Sequence, residues 1–435
     1  MHRSLDRTLQ DCPYPAFGRE QVAPEIGLLL ENGKIKLGAF MKIPRRQFIE
    51  TGAWAAGGLC LASLSLAAES QRTAKPYRAA VIGRTGGGDY GHGYDQIFKG
   101  LENVSVEAIA DHDEAGLKKA AERAGAQRQY RDYRTMLAKE KPDLVSIAPR
   151  QPDCHKDMCL AAIEVCRGIF MEKPFTETCA DADTILAAAE KKGVKIQVAH
   201  NRRWTSDFVR VKALLQQDLI GPVRQVHIYG KQDTRVGGED MLVLGTHDFD
   251  LMRFYFGDPL WCQASVTVKG RDVTRADVAK GKEPILVAGD TIHALFAFPN
   301  NVMLHWSSVR AADDWNTRSF PKRDRWAFEI LGTRGIIAQQ SGPGFLWLDS
   351  PFLAQKEEAA KWKDLPQPEN WNWPDPARHP IRSLIQAIET NTQPVCSGYD
   401  GRWAVEMVAA VYESQRTKAR VSFPLADRDN PLLRF

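Results

Sequence analysis

The chain has little excess charge and, beyond its amino-terminal region, no long apolar run. Its formal net charge is +4 over 435 residues, and no basic stripe is interleaved with aromatic residues, so nucleic acid is not an expected partner. No run after residue 70 is long and apolar enough to span a membrane. A chain of this length is sufficient for two domains with a large core.

The cysteines form neither a disulfide framework nor a recognisable metal site. Four of them follow the spacing C-x4-C-x6-C-x12-C, starting at Cys154, which matches no zinc pattern. Within this group, Cys159 and Cys166 are seven residues apart on a helical pattern. We therefore predict that both are small buried hydrophobic residues, and no metal is expected.

A twin-arginine export signal is predicted at Met41–Ala68. Arg45 and Arg46 precede an uncharged, weakly apolar run that contains three glycines, and a small-x-small cleavage site ends at Ala67. We therefore expect an exported, periplasmic protein that is handled by the twin-arginine translocation machinery. An amphipathic or transmembrane anchor is the alternative.

The residues around this signal are interpreted as processing segments. Residues 1–40 are most simply a mis-assigned extension, with Met41 the true start, and 41–76 comprise the signal and a linker. Fold reasoning therefore begins near Tyr77.

From Tyr77 the chain alternates apolar strands with helical patterns. Predicted strands lie at 79–82, 104–110, 144–148, 169–171 and 194–199, and predicted helices at 93–100, 113–124, 155–166 and 181–192. Strand alternating with helix at this spacing predicts an α/β domain, 77–200, with a doubly wound parallel sheet and helices on both faces.

Residues 201–435 have a different, α+β pattern. Predicted strands lie at 223–229, 261–268, 291–298, 301–309, 326–331, 335–340 and 421–424, and predicted helices at 206–218, 241–256, 379–391 and 402–418. The segment 345–376 is rich in proline and tryptophan and is predicted to be a long surface loop.

A glycine-rich turn at 83–93 follows the first strand of the α/β domain and opens a predicted helix. In that context backbone amides and a helix amino terminus bind a pyrophosphate. The spacing departs from G-x-G-x-x-G, because Thr85 takes the place of the second glycine and the loop is longer. Asp111 ends the second strand and suits a ribose 2′-hydroxyl. Its carboxylate would repel a 2′-phosphate, so NAD is favoured over NADP.

The sequence Glu172-Lys173-Pro174 ends a short apolar run. Proline pushes the preceding residue into extended backbone, so Lys173 is expected at the exit of a strand. Ligands of open parallel sheets bind beyond the carboxyl ends of strands. A solvated Glu-Lys pair after an edge strand is the alternative for an isolated motif of this kind.

Several motifs follow one another in an order that resembles the Gfo/Idh/MocA oxidoreductase family. They are the Gly83 loop, Ala110-Asp111, Pro149-Arg-Gln-Pro-Asp-Cys-His155, Glu172-Lys173-Pro174, His200-Asn-Arg-Arg203, Gly237-Gly238 and Gly245-Thr-His-Asp-Phe-Asp250. The resemblance covers roughly Tyr77 to the end of the chain. It implies a Rossmann domain joined to a domain with an open-faced, mostly antiparallel sheet, and a homo-oligomer, either dimer or tetramer.

The resemblance also implies residue roles. The EKP lysine, Lys173, would lie between nicotinamide and substrate, and His247 would be the second catalytic residue, taking or giving a proton. Arg235, His247 and Asp250 join Lys173 as candidate substrate contacts. The cofactor-binding candidates are Gly83, Thr85, Gly86, Gly91, His92, Asp111, Pro149, His155, Glu172, Lys173 and Arg202.

One position departs from the family pattern. An aspartate four residues before the histidine is usual, and Val243 occupies that position here. Asp250, one turn later, is the predicted replacement that orients the ring. Glu239 and Asp240 are further candidates for a nearby negative charge.

These observations predict reversible hydride transfer between NAD and a carbinol carbon of a sugar or sugar derivative. Lys173 would stabilise the developing alkoxide. Export would favour a tightly bound cofactor that is regenerated within each cycle. The alternatives are an NAD-dependent glycoside hydrolase or lyase that acts through a transient keto-sugar, and a sugar-binding homologue that has lost catalysis.

Overall fold

The computed structural model describes residues 76–232, 235–309, 328–339, 345–350, 362–369 and 375–435, and an antiparallel strand pair, Leu30–Glu31 with Lys34–Ile35. The predicted twin-arginine signal lies outside the described residues, as does the rest of the predicted amino-terminal extension. Ala74–Phe435 form a compact unit, and the following account concerns that unit.

The first half of the unit is a doubly wound parallel sheet, as predicted, and it has six strands, one more than the five predicted. Its strands are β1 (Tyr77–Ile82), β2 (Val104–Ala110), β3 (Arg128–Tyr130), β4 (Leu144–Ile147), β5 (Gly168–Met171) and β6 (Lys195–Val198). Their order in the sheet is β3-β2-β1-β4-β5-β6, and all neighbours are parallel. This is the doubly wound Rossmann order.

Four helices connect these strands: α1 (Glu114–Ala124), α2 (Tyr133–Glu140), α3 (His155–Ile163) and α4 (Cys179–Lys192). Asp113 caps α1 by accepting a hydrogen bond from the amide of Gly116, which confirms the predicted cap. The edge strand β3 and helix α2 were not predicted, because Arg128, Gln129 and Tyr130 are polar or partly exposed and give no apolar signal.

The predicted helix after the glycine-rich turn is wrong. The structure has only a single 3-10 turn there, Tyr94–Gln96. Gly91 and Gly93, just before it, have φ angles of 59° and 80°. These left-handed conformations cannot continue a right-handed helix, so the chain enters the turn from a loop.

The second half of the unit is a mixed, mostly antiparallel sheet, as predicted. Its main strands are β7 (Val223–Tyr229), β8 (Trp261–Val268), β9 (Arg271–Asp272), β12 (Thr291–Phe298), β13 (Val302–Val309), β14 (Phe328–Gly332), β15 (Ile336–Gln339), β16 (Leu346–Leu348), β17 (Lys363–Asp364) and β18 (Val421–Ser422). The order is β9-β8-β12-β13-β7-β14-β15-β16-β17, with β18 beside β8. Only β13 and β7 are parallel among these described pairs.

A separate two-stranded hairpin, β10 (Ala279–Lys280) and β11 (Leu286–Val287), lies between β9 and β12 in the chain. The predicted surface loop at 345–376 contains β16 and β17 in its described parts, so it is not wholly irregular. Both strands are too short to give a period-2 pattern in the sequence.

The helices of the second half are α5 (Ser206–Gln216), α6 (Thr246–Phe256), α7 (His379–Thr390) and α8 (Gly398–Thr417). A helical turn, Gly238–Asp240, and a π-helical segment, Met241–Gly245, lead directly into α6. Such π-helical turns are rare and often occur at functional sites.

Apolar side chains fill both faces of the Rossmann sheet and one large core behind the second sheet. Helix α7 lies late in the chain, yet its Ile381 and Leu384 pack into the Rossmann core. Cys159 and Cys166 are buried free thiols, which confirms their prediction as small hydrophobic residues. Within the described residues, no helix has the length and apolar character needed to cross a membrane.

Candidate active site

The carboxyl ends of β1 and β4 border a crevice where the strand order of the Rossmann sheet reverses. In doubly wound folds this switch point is where ligands bind. The segments that follow the two strands touch, because the amide of Arg150 donates to the carbonyl of Gly88 at 3.1 Å. A Cβ added to Gly88 would lie only 2.5 Å from that amide nitrogen, so a side chain there would separate the segments.

Gly91 brings the glycine-rich loop against the EKP motif. Its φ is 59°, and a Cβ would lie 2.5 Å from the carbonyl oxygen of Ala148 and 2.9 Å from the side chain of Glu172. Any other residue would therefore be strained and would push the loop away from Glu172.

The loop differs from the predicted amide cradle in its hydrogen bonding. Arg84 and Asp89 form a small antiparallel bridge, and the amides of Gly86, Gly87 and Gly91 donate within the loop. These amides are therefore turned inward in this conformation. The predicted contribution of a helix amino terminus is also missing, because only the 3-10 turn follows.

Asp111 lies at the end of β2, as predicted, and faces the glycine-rich loop. Its carboxylate accepts hydrogen bonds from the Thr85 amide at 3.0 Å and from the Thr85 hydroxyl at 2.7 Å. The amide of Asp113 donates to the other carboxylate oxygen at 3.0 Å. The carboxylate is thus fixed at the position where a ribose hydroxyl is expected, with Thr85 already bonded to it.

Glu172 connects the loop with Lys173. Its side chain is fully buried; one carboxylate oxygen contacts Nδ1 of His92, and the other accepts from the Lys173 amide at 2.6 Å. His92 and Glu172, both predicted to bind cofactor, therefore bind each other across the border of the crevice. This pairing fixes the backbone of Lys173 just beyond the end of β5.

Lys173 is buried, with 2% of its surface exposed, and its ammonium donates to the carbonyl oxygen of Val243 at 3.0 Å. Val243, which stands where the family usually has an aspartate, thus contributes its backbone carbonyl instead of a carboxylate. Burial lowers the pKa of Lys173, and the charges of Arg150 and Arg235 lower it further, while Glu172 and Glu283 oppose the shift. The predicted candidate Arg235 is therefore close enough to act on Lys173.

His247 is the second residue of α6, four positions after Val243 in the π-helical segment. Of its surface, 8% is exposed. Its ring meets the ring of His200 edge to face, with centroids 5.4 Å apart. Burial, together with the positive charges of Lys173 and Arg202, lowers the pKa of His247 well below its usual value. Burial also lowers the pKa of His200, to about 4. Both rings are therefore neutral at neutral pH.

These imidazoles have unused hydrogen-bonding capacity. Among the described residues, no partner is found for Nδ1 of His247 or for either ring nitrogen of His200. An unpaired buried polar atom costs about 1–3 kcal/mol. Unpaired nitrogens at the end of a strand therefore indicate a place where a ligand with hydroxyl groups binds.

The prediction that Asp250 orients His247 is wrong, and its predicted contact with substrate stays a prediction. Asp250 is fully buried and accepts three bonds from the guanidinium of Arg203, at 2.8–3.0 Å. Arg203 also binds Asp400, which in turn binds Arg253. Asp250 lies three positions after His247 on α6. Its side chain nevertheless joins a buried ion-pair network and is not directed into the crevice.

Three other residues predicted to bind cofactor have partners within the protein: Pro149, His155 and Arg202. Both ring nitrogens of His155 bond to backbone carbonyls, of Pro149 at 2.8 Å and of Phe175 at 3.1 Å, and the ring is fully buried. His155 therefore fixes the loops beside the crevice and does not reach a cofactor, which corrects its prediction. Arg202 is bound to Asp248 and lies over the ring of Phe208.

Glu239 and Asp240 do not supply a charge to His247. Glu239 accepts the amide of Lys282, and Asp240 accepts the hydroxyl of Ser308 at 2.7 Å. Within the described part of the chain, His247 therefore has no carboxylate from the preceding turn to orient it, and its ring contact is with His200.

Sequence reasoning missed three residues beside Lys173: His200, Arg150 and Glu283. The first two follow β6 and β4, so the strand-end rule that found Lys173 would have found them too. Glu283 lies on the β10–β11 hairpin, and nothing in its local sequence marks it.

Nicotinamide dinucleotide fits the residues at this crevice. Gly88 and Gly91 let the glycine-rich loop lie against the segments that follow β4 and β5, and Asp111 follows β2, where the adenosine ribose lies in this fold. Asp111 would hold that ribose, and Glu172 and Lys173 would border the nicotinamide.

Two family models match the chain. One, described as an oxidoreductase family with an NAD-binding Rossmann fold, matches residues 77–200. The other, described as the GFO/IDH/MocA carboxyl-terminal domain, matches residues 208–338.

Relatives share most of this length. D-apiose dehydrogenase of Paraburkholderia graminis is 24% identical over 378 residues, which cover 82% of this chain and 93% of the relative. Myo-inositol 2-dehydrogenase of Thermotoga maritima is 22% identical over 347 residues, covering 78% and 97%. The solved structure of levoglucosan dehydrogenase with NADH and L-sorbose has a TM-score of 0.63 at 17% identity and covers 81% of this chain and 100% of that one. The solved structure shows the shared fold, and the two family models together show that this chain belongs to the Gfo/Idh/MocA oxidoreductase family.

Proposed function

We propose that the protein is an NAD-dependent dehydrogenase that oxidises a carbinol carbon of a sugar or sugar derivative. The observation that carries this proposal is the buried group formed by Lys173, His200 and His247, whose three unpaired ring nitrogens lie beside a lysine ammonium. Neutral imidazoles and an ammonium match a polyhydroxylated ligand better than an anion or an apolar one.

Each side chain has a role that its environment favours. Neutral His247 accepts the hydroxyl proton, because burial lowers its pKa and leaves one ring nitrogen free of a proton as the acceptor. The Lys173 ammonium stabilises the alkoxide that develops as that proton leaves. Bound NAD supplies the acceptor for the hydride of the same carbon, so the sugar loses one proton and one hydride and becomes a carbonyl compound.

The remaining residues position these two. Glu172 fixes the backbone of Lys173 and joins it to the glycine-rich loop through His92. The Val243 carbonyl directs the ammonium toward the second half of the molecule. His200 packs edge to face against the ring of His247 and restricts its orientation.

The relatives support the substrate class. Their names refer to D-apiose, myo-inositol and levoglucosan, which are polyhydroxylated and uncharged. We propose that this chain takes a substrate of the same chemical kind.

The test is hydride transfer itself. Purified protein is incubated with NAD and with D-apiose, myo-inositol, levoglucosan and common hexoses, and absorbance at the nicotinamide band is followed. We expect at least one sugar to reduce NAD in the wild type and none to do so in His247→Asn. If no sugar changes the absorbance and no sugar binds by calorimetry, the proposed function is wrong.

We further propose export and internal recycling of the cofactor. The support is Arg45-Arg46 ahead of a weakly apolar run, and the lack of a nucleotide pool outside the cytoplasm. Protein recovered from the periplasm should begin near Ala68 and release nicotinamide nucleotide on heating, whereas Arg45→Lys/Arg46→Lys should remain in the cytoplasm. Export of that variant contradicts the targeting proposal, and an empty exported protein contradicts the recycling proposal.

We also propose a homo-oligomer, either dimer or tetramer, built through the second domain. Light scattering on the purified protein tests this. A monomer at micromolar concentration contradicts it.

A further inference from the structure

The hairpin β10–β11 brings a carboxylate to the crevice from the second half of the molecule. Ala279 pairs with Val287, and the tip is closed by a hydrogen bond from the Gly281 amide to the Ile285 carbonyl at 3.0 Å. The tip is attached to the start of the π-helical region, because the Lys282 amide donates to Glu239 at 3.0 Å. Glu283, between these two points, is therefore held in a defined place.

Glu283 forms an ion pair across the crevice. One carboxylate oxygen accepts from Nε of Arg150 at 2.7 Å. Arg150 follows β4 of the Rossmann sheet, and its amide is bonded to the glycine-rich loop. The pair thus connects the wall that borders the cofactor with the hairpin that borders the substrate.

Only one of the two carboxylate oxygens of Glu283 takes part in this ion pair. Glu283 is 8% exposed, and among the described residues its second carboxylate oxygen is buried with no hydrogen-bond partner. A carboxylate oxygen buried in this way is unfavourable unless a donor completes it. The missing partner is a hydrogen-bond donor from a ligand.

The position of Glu283 identifies that ligand. Glu283 is paired with Arg150, whose amide is bonded to the glycine-rich loop. Its hairpin is bonded to Glu239, four residues before Val243, whose carbonyl accepts from the Lys173 ammonium. Its charge also acts on Lys173. The donor therefore lies on the substrate side of Lys173, close to the reacting carbinol. A sugar hydroxyl is a donor of the required kind.

Arg150 supplies the complementary group. Arginine has five N–H donors, and Nε serves Glu283. Among the described residues the terminal NH2 groups therefore remain as donors, on a side chain that is 41% exposed. A carboxylate that accepts and a guanidinium that donates, held side by side, match two neighbouring hydroxyls, of which one donates and the other accepts.

We propose that Glu283 and Arg150 form a clamp for a vicinal diol of the substrate, next to the carbinol handled by Lys173 and His247. The inference rests on the proposed function and restricts the class of substrate. The substrate class is a sugar or cyclitol with at least three contiguous hydroxylated carbons. Neither residue exchanges a proton or hydride in this role; both bind.

The experiment combines a protein change with a substrate change. The substrates are D-apiose, myo-inositol and levoglucosan, each beside its monodeoxy analogues, and the proteins are wild type, Glu283→Ala, Arg150→Lys and Lys280→Gln. Lys280 is exposed on the same hairpin and controls for a charge change there. Both kcat/KM for NAD reduction and the Kd of each sugar for NADH-loaded protein are measured.

We expect one deoxy analogue to react about 10- to 100-fold more slowly than its parent in the wild type and in Lys280→Gln. In Glu283→Ala this ratio should fall to less than about 5, because the parent loses the bond that the analogue never made. Arg150→Lys should lower the ratio partially. A general loss of folding or hairpin position would slow both substrates equally and leave the ratio unchanged, and that result overturns the clamp.

Three further outcomes are decisive. If NADH affinity falls in Glu283→Ala as much as sugar affinity does, Glu283 holds the nucleotide, and the diol assignment is wrong. If the wild type binds these sugars without oxidising them, the proposed dehydrogenase function fails while the same ratio, measured on Kd, still decides the clamp. If no sugar binds at all, both proposals fall.

Discussion

Two buried polar groups lie within one turn of each other on helix α6, and only one of them is internally satisfied. Asp250 is enclosed by the Arg203 guanidinium, and Asp400 and Arg253 extend the network. His247 contacts His200, and among the described residues three of the four ring nitrogens of this pair have no partner.

The difference distinguishes buried polar side chains that stabilise the fold from those that are available to bind a ligand. A buried ion pair that loses one member is strongly destabilised, because the remaining charge has no compensation. An unpaired imidazole has already lost its solvent, so the fold gains nothing from it. The Asp250 network therefore stabilises the second half of the molecule, and the His247 group is where a ligand completes the bonding. Each prediction below tests this division.

The largest effect is expected at the satisfied network. Asp250→Asn leaves the Arg203 charge buried beside a neutral amide, so the free energy of unfolding should fall by about 3–5 kcal/mol. Denaturant titration measures this change. Asp258→Asn is the matched control, because Asp258 is an exposed partner of Arg253 and exposed pairs contribute about 0–1 kcal/mol. A loss as small as that of the control would show that the network is not structural.

The second effect concerns acid. The pKa of His200 falls from 6.5 to about 4 on folding, so between these values the unfolded chain binds a proton that the folded chain does not. Stability is therefore complete above pH 6.5 and is lost as the pH falls toward 4, by up to about 3 kcal/mol from this residue. His200→Asn should show a flatter decline of the unfolding free energy between pH 6.5 and 4. Parallel curves for the two proteins would contradict the buried neutral imidazole.

The third effect concerns Lys173. Lys173→Met should lower kcat at least about 10²-fold, because the alkoxide loses its nearest positive charge. Stability should be unchanged or higher, since a buried ammonium of lowered pKa is removed. In the wild type, activity should decline on the alkaline side at a pH below the usual lysine pKa of 10.5, as the ammonium loses its proton. If Lys173→Met is unstable but turns over at the wild-type rate, Lys173 stabilises the fold and does not take part in catalysis.

Much of the fold could be predicted because its signals are local. Alternating apolar strands and helical patterns predicted five of the six strands of the parallel sheet, and Pro174 placed Lys173 at the end of β5. Segments without an apolar period could not be predicted from pattern, and β3 is such a segment because it is polar. The left-handed glycines that precede the turn at 94–96 are also not revealed by spacing alone.

The candidate site was less predictable than the fold, because its partners come from distant parts of the chain. Lys173 and His247 were identified from a resemblance and converge as expected. Asp250 was assigned from helical spacing, yet that spacing cannot show that Arg203 reaches the same face. Glu283 belongs to a hairpin that is far from the other site residues in sequence, so only the three-dimensional structure brings it to Lys173.

The smallest effect extends the comparison to the cofactor side, where Asp111 resembles the satisfied group. Its carboxylate is bonded to Thr85 and Asp113 and still faces the expected ribose. Asp111→Ser should reduce the preference for NADH over NADPH by at least ~1 kcal/mol, because a negative charge no longer opposes the 2′-phosphate. Thr85→Val keeps the shape and the charge but removes the hydroxyl bond, so it should lower stability by about 1 kcal/mol and leave the preference nearly intact. Fluorescence titration of both nucleotides, with thermal unfolding, measures the two quantities. Equal affinity of the wild type for both nucleotides would remove Asp111 from cofactor recognition and leave it a purely structural residue.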